Sequence, residues 1–279
     1  MFGAIIGDIV GSRYEDSGMR SKRFALFAPE CSFTDDTVMT IAVARALLET
    51  DWHEQAAYQE CLVKQMRWLG REYPSAGYAE RFKQWLFSEN PQPYGSFGNG
   101  AAMRVSPCGL LAHSLDEALT LAKLTAEVTH NHPEGIRGAQ AVASAVYLAR
   151  TGVKREVIRC YCRCFYPLEQ TLSEIRSGYV CDQTCQGSVP QALTAALESA
   201  NYEDAIRSAV SLGGDSDTLA AIAGSVAWSY YRFGKSALPR EMARARQRAE
   251  NYLPASFLET IGTFEDLCAE HGSMPCRVR

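Results

Sequence analysis

No segment of this 279-residue chain is long and apolar enough to cross a bilayer. The longest such stretches, Ala141 to Ala149 and Leu219 to Trp228, reach about half of the roughly 20 residues a spanning helix needs. No basic run accompanies the net charge of −4, so bulk nucleic-acid binding is not expected. The opening residues, Met1-Phe2-Gly3-Ala4-Ile5-Ile6-Gly7-Asp8, have no basic n-region and carry an aspartate in the apolar segment, which argues against a signal peptide. These absences predict a soluble, cytoplasmic protein with no membrane partner.

Strand signals are also missing. No alternating β-branched run exceeds about five residues, and no Asn-Gly or Asp-Gly turn is flanked by such runs. Nothing repeats at a fixed period, and the Pro/Gly-rich stretch Asn90 to Gly100 is too short and too aromatic to be a tether. The expectation is a single domain over 1–279.

Ten cysteines are present, mostly scattered singly among helical patterns in a chain too large for a disulfide scaffold, so reduced thiols are expected. The denser group, Cys160, Cys162 and Cys164 with Cys181 and Cys185 downstream, departs from the C-x2-C spacing of zinc knuckles and leaves zinc as the lesser reading.

The dominant rhythm is helical. Over Thr37 to Glu49 the apolar residues Val38, Ile41, Ala42, Ala44 and Leu48 recur at steps of three and four, and Thr34 or Asp35 is suited to cap the start. The same pattern predicts helices over Glu54 to Gly70, Tyr78 to Phe87, Leu115 to Thr129, Glu134 to Thr151 and Lys154 to Cys164. It continues over Val189 to Glu198, Tyr202 to Leu212, Asp217 to Arg232 and Pro239 to Glu250. Several faces are built of small residues: Gly3, Ala4, Gly7 and Gly11; Gly138, Ala139, Ala143 and Ala145; Ala220, Ala221, Ala223 and Gly224. Glycine costs about 1 kcal/mol in a helix interior, so its recurrence on one face implies close contact between axes. The fold class is all-α, a compact orthogonal helix bundle.

Two acidic clusters stand out against this background: Thr34-Asp35-Asp36-Thr37 and Gly213-Gly214-Asp215-Ser216-Asp217-Thr218. Each crowds carboxylates at a helix start, where one capping residue suffices and neighbouring acids repel. A cation gathering the charge resolves the repulsion. Carboxylates with threonine hydroxyls, and no Cys or His nearby, select Mg²⁺, Mn²⁺ or Ca²⁺ over zinc, and four such acids make a two-metal centre plausible.

Five motifs together resemble those of the ADP-ribosylglycohydrolases, a family that includes the dinitrogenase reductase-activating glycohydrolase and the ADP-ribosyl-acceptor hydrolases. They are the segment Gly3 to Glu15, Phe33-Thr-Asp-Asp-Thr37, Gly98-Asn-Gly-Ala-Ala-Met-Arg104, Thr129-His130 and Gly213-Gly-Asp-Ser-Asp-Thr218, in the family's order. The resemblance implies an all-α fold with two divalent cations, Mg²⁺ or Mn²⁺, in a cleft where ADP-ribose is cut from an acceptor. It implies a first ligand set of Thr34, Asp35 and Asp36 and a second of Asp215, Asp217 and Thr218, with Asp217 between the ions. Glu15 matches a family acid/base candidate, and Asp36 is the runner-up for that role.

The loop Tyr94 to Gly100 reads as a diphosphate cradle, with Gly98, Asn99 and Gly100 placing backbone N–H groups near phosphate oxygens and Phe97 beside the sugar or base. As a bare glycine-rich loop it is equally a plain turn. His130 matches a family histidine that approaches the ligand, whereas Arg104 reads either as a core salt-bridge partner or as a phosphate contact. Ser188 is the expected cap of a helix with Pro190 in its first turn, and Cys185 and Gln186 are either structural or in contact with ligand. The polar loop Asp16 to Ala28 is expected to fold over the metals. The expected partner is an ADP-ribosylated protein or a small ADP-ribosyl conjugate, and the expected state a monomer. The rival is a non-catalytic ADP-ribose-binding or structural relative.

Overall fold

The computed structural model describes residues 1–15 and 17–270. Among these the chain is all-α, with no strand and one isolated antiparallel bridge, Gly98 to Thr184. In chain order the helices are α1 Phe2–Ser12, α2 Asp35–Glu49, α3 Gln55–Glu72, α4 Glu80–Phe87 and α5 Gly100–Met103. They continue as α6 Ser106–Leu111, α7 Leu115–Glu127, α8 Pro133–Arg150, α9 Arg155–Cys162 and α10 Leu172–Gly178. The last are α11 Cys185–Glu198, α12 Tyr202–Val210, α13 Ser216–Arg232, α14 Arg240–Glu250 and α15 Ala255–Glu270. No helix among the described residues is long and apolar enough to cross a membrane.

The centre of the molecule is the α1–α13 pair, buried along almost its whole length. The small-residue faces read in the sequence are what allow it. A methyl group on Gly7 would stand 2.0 Å from the Ala220 carbonyl oxygen, and one on Gly11 would stand 2.4 Å from the Asp217 Cα. The two backbones therefore touch without intervening side chains. The Ser216 hydroxyl donates to the Gly11 carbonyl at 2.9 Å, which locks the end of α1 to the start of α13. This contact brings Asp8 of α1 alongside Asp217 of α13 and delivers Glu15 just past the end of α1.

Around this pair α2, α8, α11 and α12 complete the core. The expected helix starting at Val189 begins one turn earlier, at Cys185, and its cap is Thr184 instead of Ser188: the Thr184 side chain accepts from the Gly187 N–H. Ser188 lies inside the helix and returns its hydroxyl to the Asp182 and Thr184 carbonyls. The helix read from Tyr78 starts at Glu80. Sequence periodicity also left α15 unassigned, although Phe257, Ile261, Phe264 and Cys268 form a buried stripe at helical spacing.

Every described cysteine is a free thiol. Cys162 and Cys185 are buried while Cys160, Cys164 and Cys181 are exposed, and no cysteine joins a metal-competent group among the described residues. Cys276 lies outside the described residues.

Candidate active site

The helix starts deliver the acids. Thr34 caps α2, accepting from the Asp36 N–H, so Asp35 and Asp36 stand in the first turn. The second cluster follows two consecutive left-handed residues, Gly213 at φ +74 and Gly214 at φ +69, a turn that side-chain-bearing residues rarely make. That turn sets Asp215 at the N-cap of α13, yet its side chain makes no capping bond. Its Oδ2 instead accepts from the Asn99 amide at 2.5 Å. A capping role for the second cluster is thereby replaced by an inward one.

The clusters meet. Ligand atoms of Asp8, Asp36 and Asp217 lie within 4.8 Å of one another, as do those of Glu15, Asp215 and Asp217, so Asp217 belongs to both groups. The Thr218 hydroxyl donates to Asp36 Oδ2 at 3.0 Å and bridges the two sequence motifs directly. Asp8, Asp36, Asp215 and Asp217 are all buried; Glu15 is exposed at the edge. Among the described residues, none of the four buried aspartates forms a salt bridge with a Lys or Arg.

Electrostatics follow from that crowding. Burial, then Asp217, push the Asp8 carboxyl up to about 7 against the hydrogen bonds it receives. Asp215 rises to about 8 from burial and Asp217, and burial raises Asp217 itself. Asp35 and Asp36 are driven well above the usual carboxylate range by burial and the neighbouring aspartates. Acids held protonated at neutral pH, or neutralised by cations, are the two ways such a cluster persists. The donor set fits a hard divalent ion: oxygen atoms only, with Asp36 Oδ1 buried and without a hydrogen-bond partner.

Asp8 escaped the sequence reading. It sits inside an apolar helix and lacks a second acid beside it, which were the signals that marked the other aspartates. Its role is visible only in three dimensions: Oδ2 accepts from the Thr34 and Thr37 N–H groups at 2.9 and 3.0 Å, and Oδ1 from the Thr34 hydroxyl at 2.7 Å.

Beside the acids opens a cleft of about 560 Å³, lined by Glu15, Thr34, Asp35, Asp36, Asp215, Asp217 and Thr218. Gly98, Asn99, Gly100, Arg104 and His130 line the same cleft, as do Arg81 and Tyr94. All the sequence-derived site residues thus share one cavity. The segment 183–185 buttresses the glycine loop: Asn99 N–H donates to the Gln183 carbonyl, Cys185 N–H to the Phe97 carbonyl, and the Cys185 thiol to the Gly98 carbonyl. Cys185 is therefore a support beneath the loop. Asn99 faces the acids, its amide shared between Asp215 and Ser188.

Arg104 is fully buried and makes no salt bridge among the described residues; its donors go to the Gly100 and Thr125 carbonyls and the Thr129 hydroxyl. Those bonds replace the salt bridge considered from sequence, and Arg104 also lines the cleft with its Nε unpartnered among the described residues. Phe97 is half exposed and packs near His132, with ring centroids 5.3 Å apart. The loop expected to cover the metals is, over 17–28, fastened to the outside of the core. Arg20 donates to the Leu212 and Tyr179 carbonyls, and Arg207 to those of Lys22 and Phe24. Asp16 lies outside the described residues.

Comparison with known proteins converges on one group. A family model described as ADP-ribosylglycohydrolase matches residues 1–270. The chain is 30% identical to the ADP-ribosylarginine hydrolase Tri1 of Pseudomonas putida, over 86% of this chain and 71% of that one. It is 25% identical to the ADP-ribosylhydrolase ARH3 of Mus musculus, over 82% of each chain. A solved structure titled ADP-ribosylglycohydrolase-related protein complex superposes with a TM-score of 0.68 at 24% identity, covering 99% of this chain and 96% of that one, a likeness of fold.

Proposed function

The chain belongs to the ADP-ribosylglycohydrolase family, and from that membership we propose that its cleft hydrolyses the bond between ribose C1″ of ADP-ribose and an acceptor, with two divalent cations at the acids. The observation that carries the reading is the pair of acid groups sharing Asp217, in a cleft that the glycine loop also lines. Thr34, Asp35, Asp36, Asp215, Asp217 and Thr218 would hold the ions, Mg²⁺ or Mn²⁺. Such ions supply Lewis acidity toward the ribose hydroxyls and the attacking water.

The chain's own groups divide the remaining work. Glu15, exposed beside Asp215 and Asp217, stands where it can take a proton from water and return one to the departing group. Asp36 is the second candidate, but both its threonine bond and its depth suit it to ligation. Asp8 holds Thr34 and the start of α2 in place, its two oxygens already occupied by three donors. Gly98 and Gly100 offer backbone to the diphosphate, and His130 faces the same loop. Cleavage at an anomeric carbon develops positive charge on the sugar, which the ring of carboxylates around Asp217 favours.

The acceptor is an ADP-ribosylated side chain, and the arginine conjugate is the first to test because the Pseudomonas putida relative is named for it. We place the activity in the cytoplasm, in a monomeric single domain. Purified protein is incubated with ADP-ribosylarginine and ADP-ribosylserine peptides, with Mg²⁺, with Mn²⁺ and with chelator. Free ADP-ribose released with metal, abolished by chelator and reduced about a hundredfold in Glu15→Gln supports the reading. ADP-ribose binding without cleavage of either peptide would instead favour the non-catalytic rival.

A further inference from the structure

Beside the glycine loop a buried arginine, a threonine and a histidine form a chain. Arg104 Nη2 lies 2.9 Å from the Thr129 hydroxyl, and that hydroxyl lies 2.7 Å from His130 Nδ1. We propose that Arg104 is a positioning residue which, through the Thr129 hydroxyl, fixes His130 as the tautomer protonated on Nε2, so that the ring presents an N–H to the glycine loop. The inference rests on the reading of that loop as a diphosphate site.

The direction of the chain follows from what each group can donate. A guanidinium has only donors, so the Thr129 oxygen accepts from it. The hydroxyl proton then needs an acceptor, and His130 Nδ1 is the group in reach. Among the described residues the Thr129 hydroxyl has hydrogen-bonding contact with Arg104 and His130 alone. An Nδ1 that accepts leaves the single ring proton of a neutral imidazole on Nε2. Nε2 is the atom turned to the cleft: it stands 3.2 Å from where a Cβ on Gly100 would be and 3.8 Å from one on Gly98.

Charge reinforces the geometry. The groups facing the ring are Arg104 from the turn after α5, Tyr94 with its centroid 6.0 Å away, and Arg81 stacked on Tyr94 at 4.9 Å. Burial, with Arg104 as the acting charge, holds His130 well below the usual histidine range, so the ring stays neutral. Positive charge at the anion site thus comes from the arginines lining the cleft, Arg104 and Arg81, while His130 contributes one directed donor. Arg104 also accepts no freedom of its own, since it holds the Gly100 carbonyl at 3.1 Å and so orients that peptide.

The test reads the ring directly. Full-length protein labelled with ¹⁵N at histidine is followed by long-range ¹H–¹⁵N correlation without ligand, with His130→Gln assigning the signal. The expected result is protonated Nε2 and unprotonated Nδ1, unchanged between about pH 5.5 and 9. In Thr129→Val the ring samples both tautomers, Thr129→Ser restores the original signal, and the ADP-ribose Kd rises about tenfold in the first and recovers in the second. A protonated Nδ1 in the parent protein, or a Thr129→Val ring indistinguishable from it, overturns the proposal. Failure of the parent protein to bind ADP-ribose overturns the functional reading instead, and the ring signal decides the tautomer either way.

Discussion

Asp8 and Thr34 are joined twice, by the Thr34 N–H to Oδ2 at 2.9 Å and by its hydroxyl to Oδ1 at 2.7 Å. The bond pair ties the middle of α1 to the cap of α2, and with it the orientation of Asp35 and Asp36. An amide cannot accept on both ends. Asp8→Asn is therefore expected to turn its NH₂ against a Thr34 donor and to lower Mn²⁺ affinity tenfold or more, as losses behind a metal ligand typically do. Calorimetric titration with Mn²⁺ measures it; an unchanged Kd contradicts the role.

Asn99 makes the corresponding link on the other side, holding Asp215 at 2.5 Å and Ser188 at 2.9 Å. Asn99→Ala should weaken metal binding by about tenfold, and Asn99→Asp by more, because it sets a further carboxylate against Asp215. If instead ADP-ribose binding falls and Mn²⁺ binding does not, Asn99 is a substrate contact, the role expected from sequence.

The α1–α13 contact is the scaffold for both acid groups. Gly7→Ala would place a methyl 2.0 Å from the Ala220 carbonyl, deep between two backbones with nowhere to move. The expected loss is about 3 kcal/mol or more, whereas Gly178→Ala, with nothing near its added carbon, should stay within about 0.5 kcal/mol. Urea midpoints compare the two.

Those residues also mark how far the sequence could be read. Helical periodicity located most of the fold, and the small faces of Gly7 and Ala220 announced a close contact without naming its partners. Doubled acids revealed Asp35, Asp36, Asp215 and Asp217, because clustered charge at a helix start is costly enough to show. Asp8 did not show, since a lone acid in an apolar helix carries no local signature and its three donors lie 26 to 29 residues away. Asn99 was read as facing phosphate because its glycine neighbours dominate the local pattern; its bond to Asp215 spans 116 residues. The cap of α11 is Thr184, one turn before Ser188, because the Thr184 hydroxyl accepts from the Gly187 N–H while the Ser188 hydroxyl turns back to the Asp182 and Thr184 carbonyls.

The acids also set a pH dependence. Asp8 and Asp215 are raised from 3.8 to about 7 and about 8 in the metal-free fold, so between roughly pH 4 and 8 the folded state holds protons the unfolded chain has released. Metal-free stability contributed by these groups is present at low pH and is lost as pH rises through 7 to 8. Cations compete with those protons, so the gain in Tm on adding Mg²⁺ should grow steadily from pH 5 to about 8. The buried amino terminus, lowered to about 6, titrates in the same range but cancels when Tm is compared with and without metal at each pH. A gain independent of pH contradicts the assignment.

Crystals grown with Mn²⁺ and measured on either side of the manganese edge test whether Asp217 is shared by two ions. Two anomalous peaks about 3.5–4 Å apart are expected, with Asp217 between them and Thr34, Asp35, Asp36, Asp215 and Thr218 around them. A single peak, or two that do not share Asp217, would contradict the sharing.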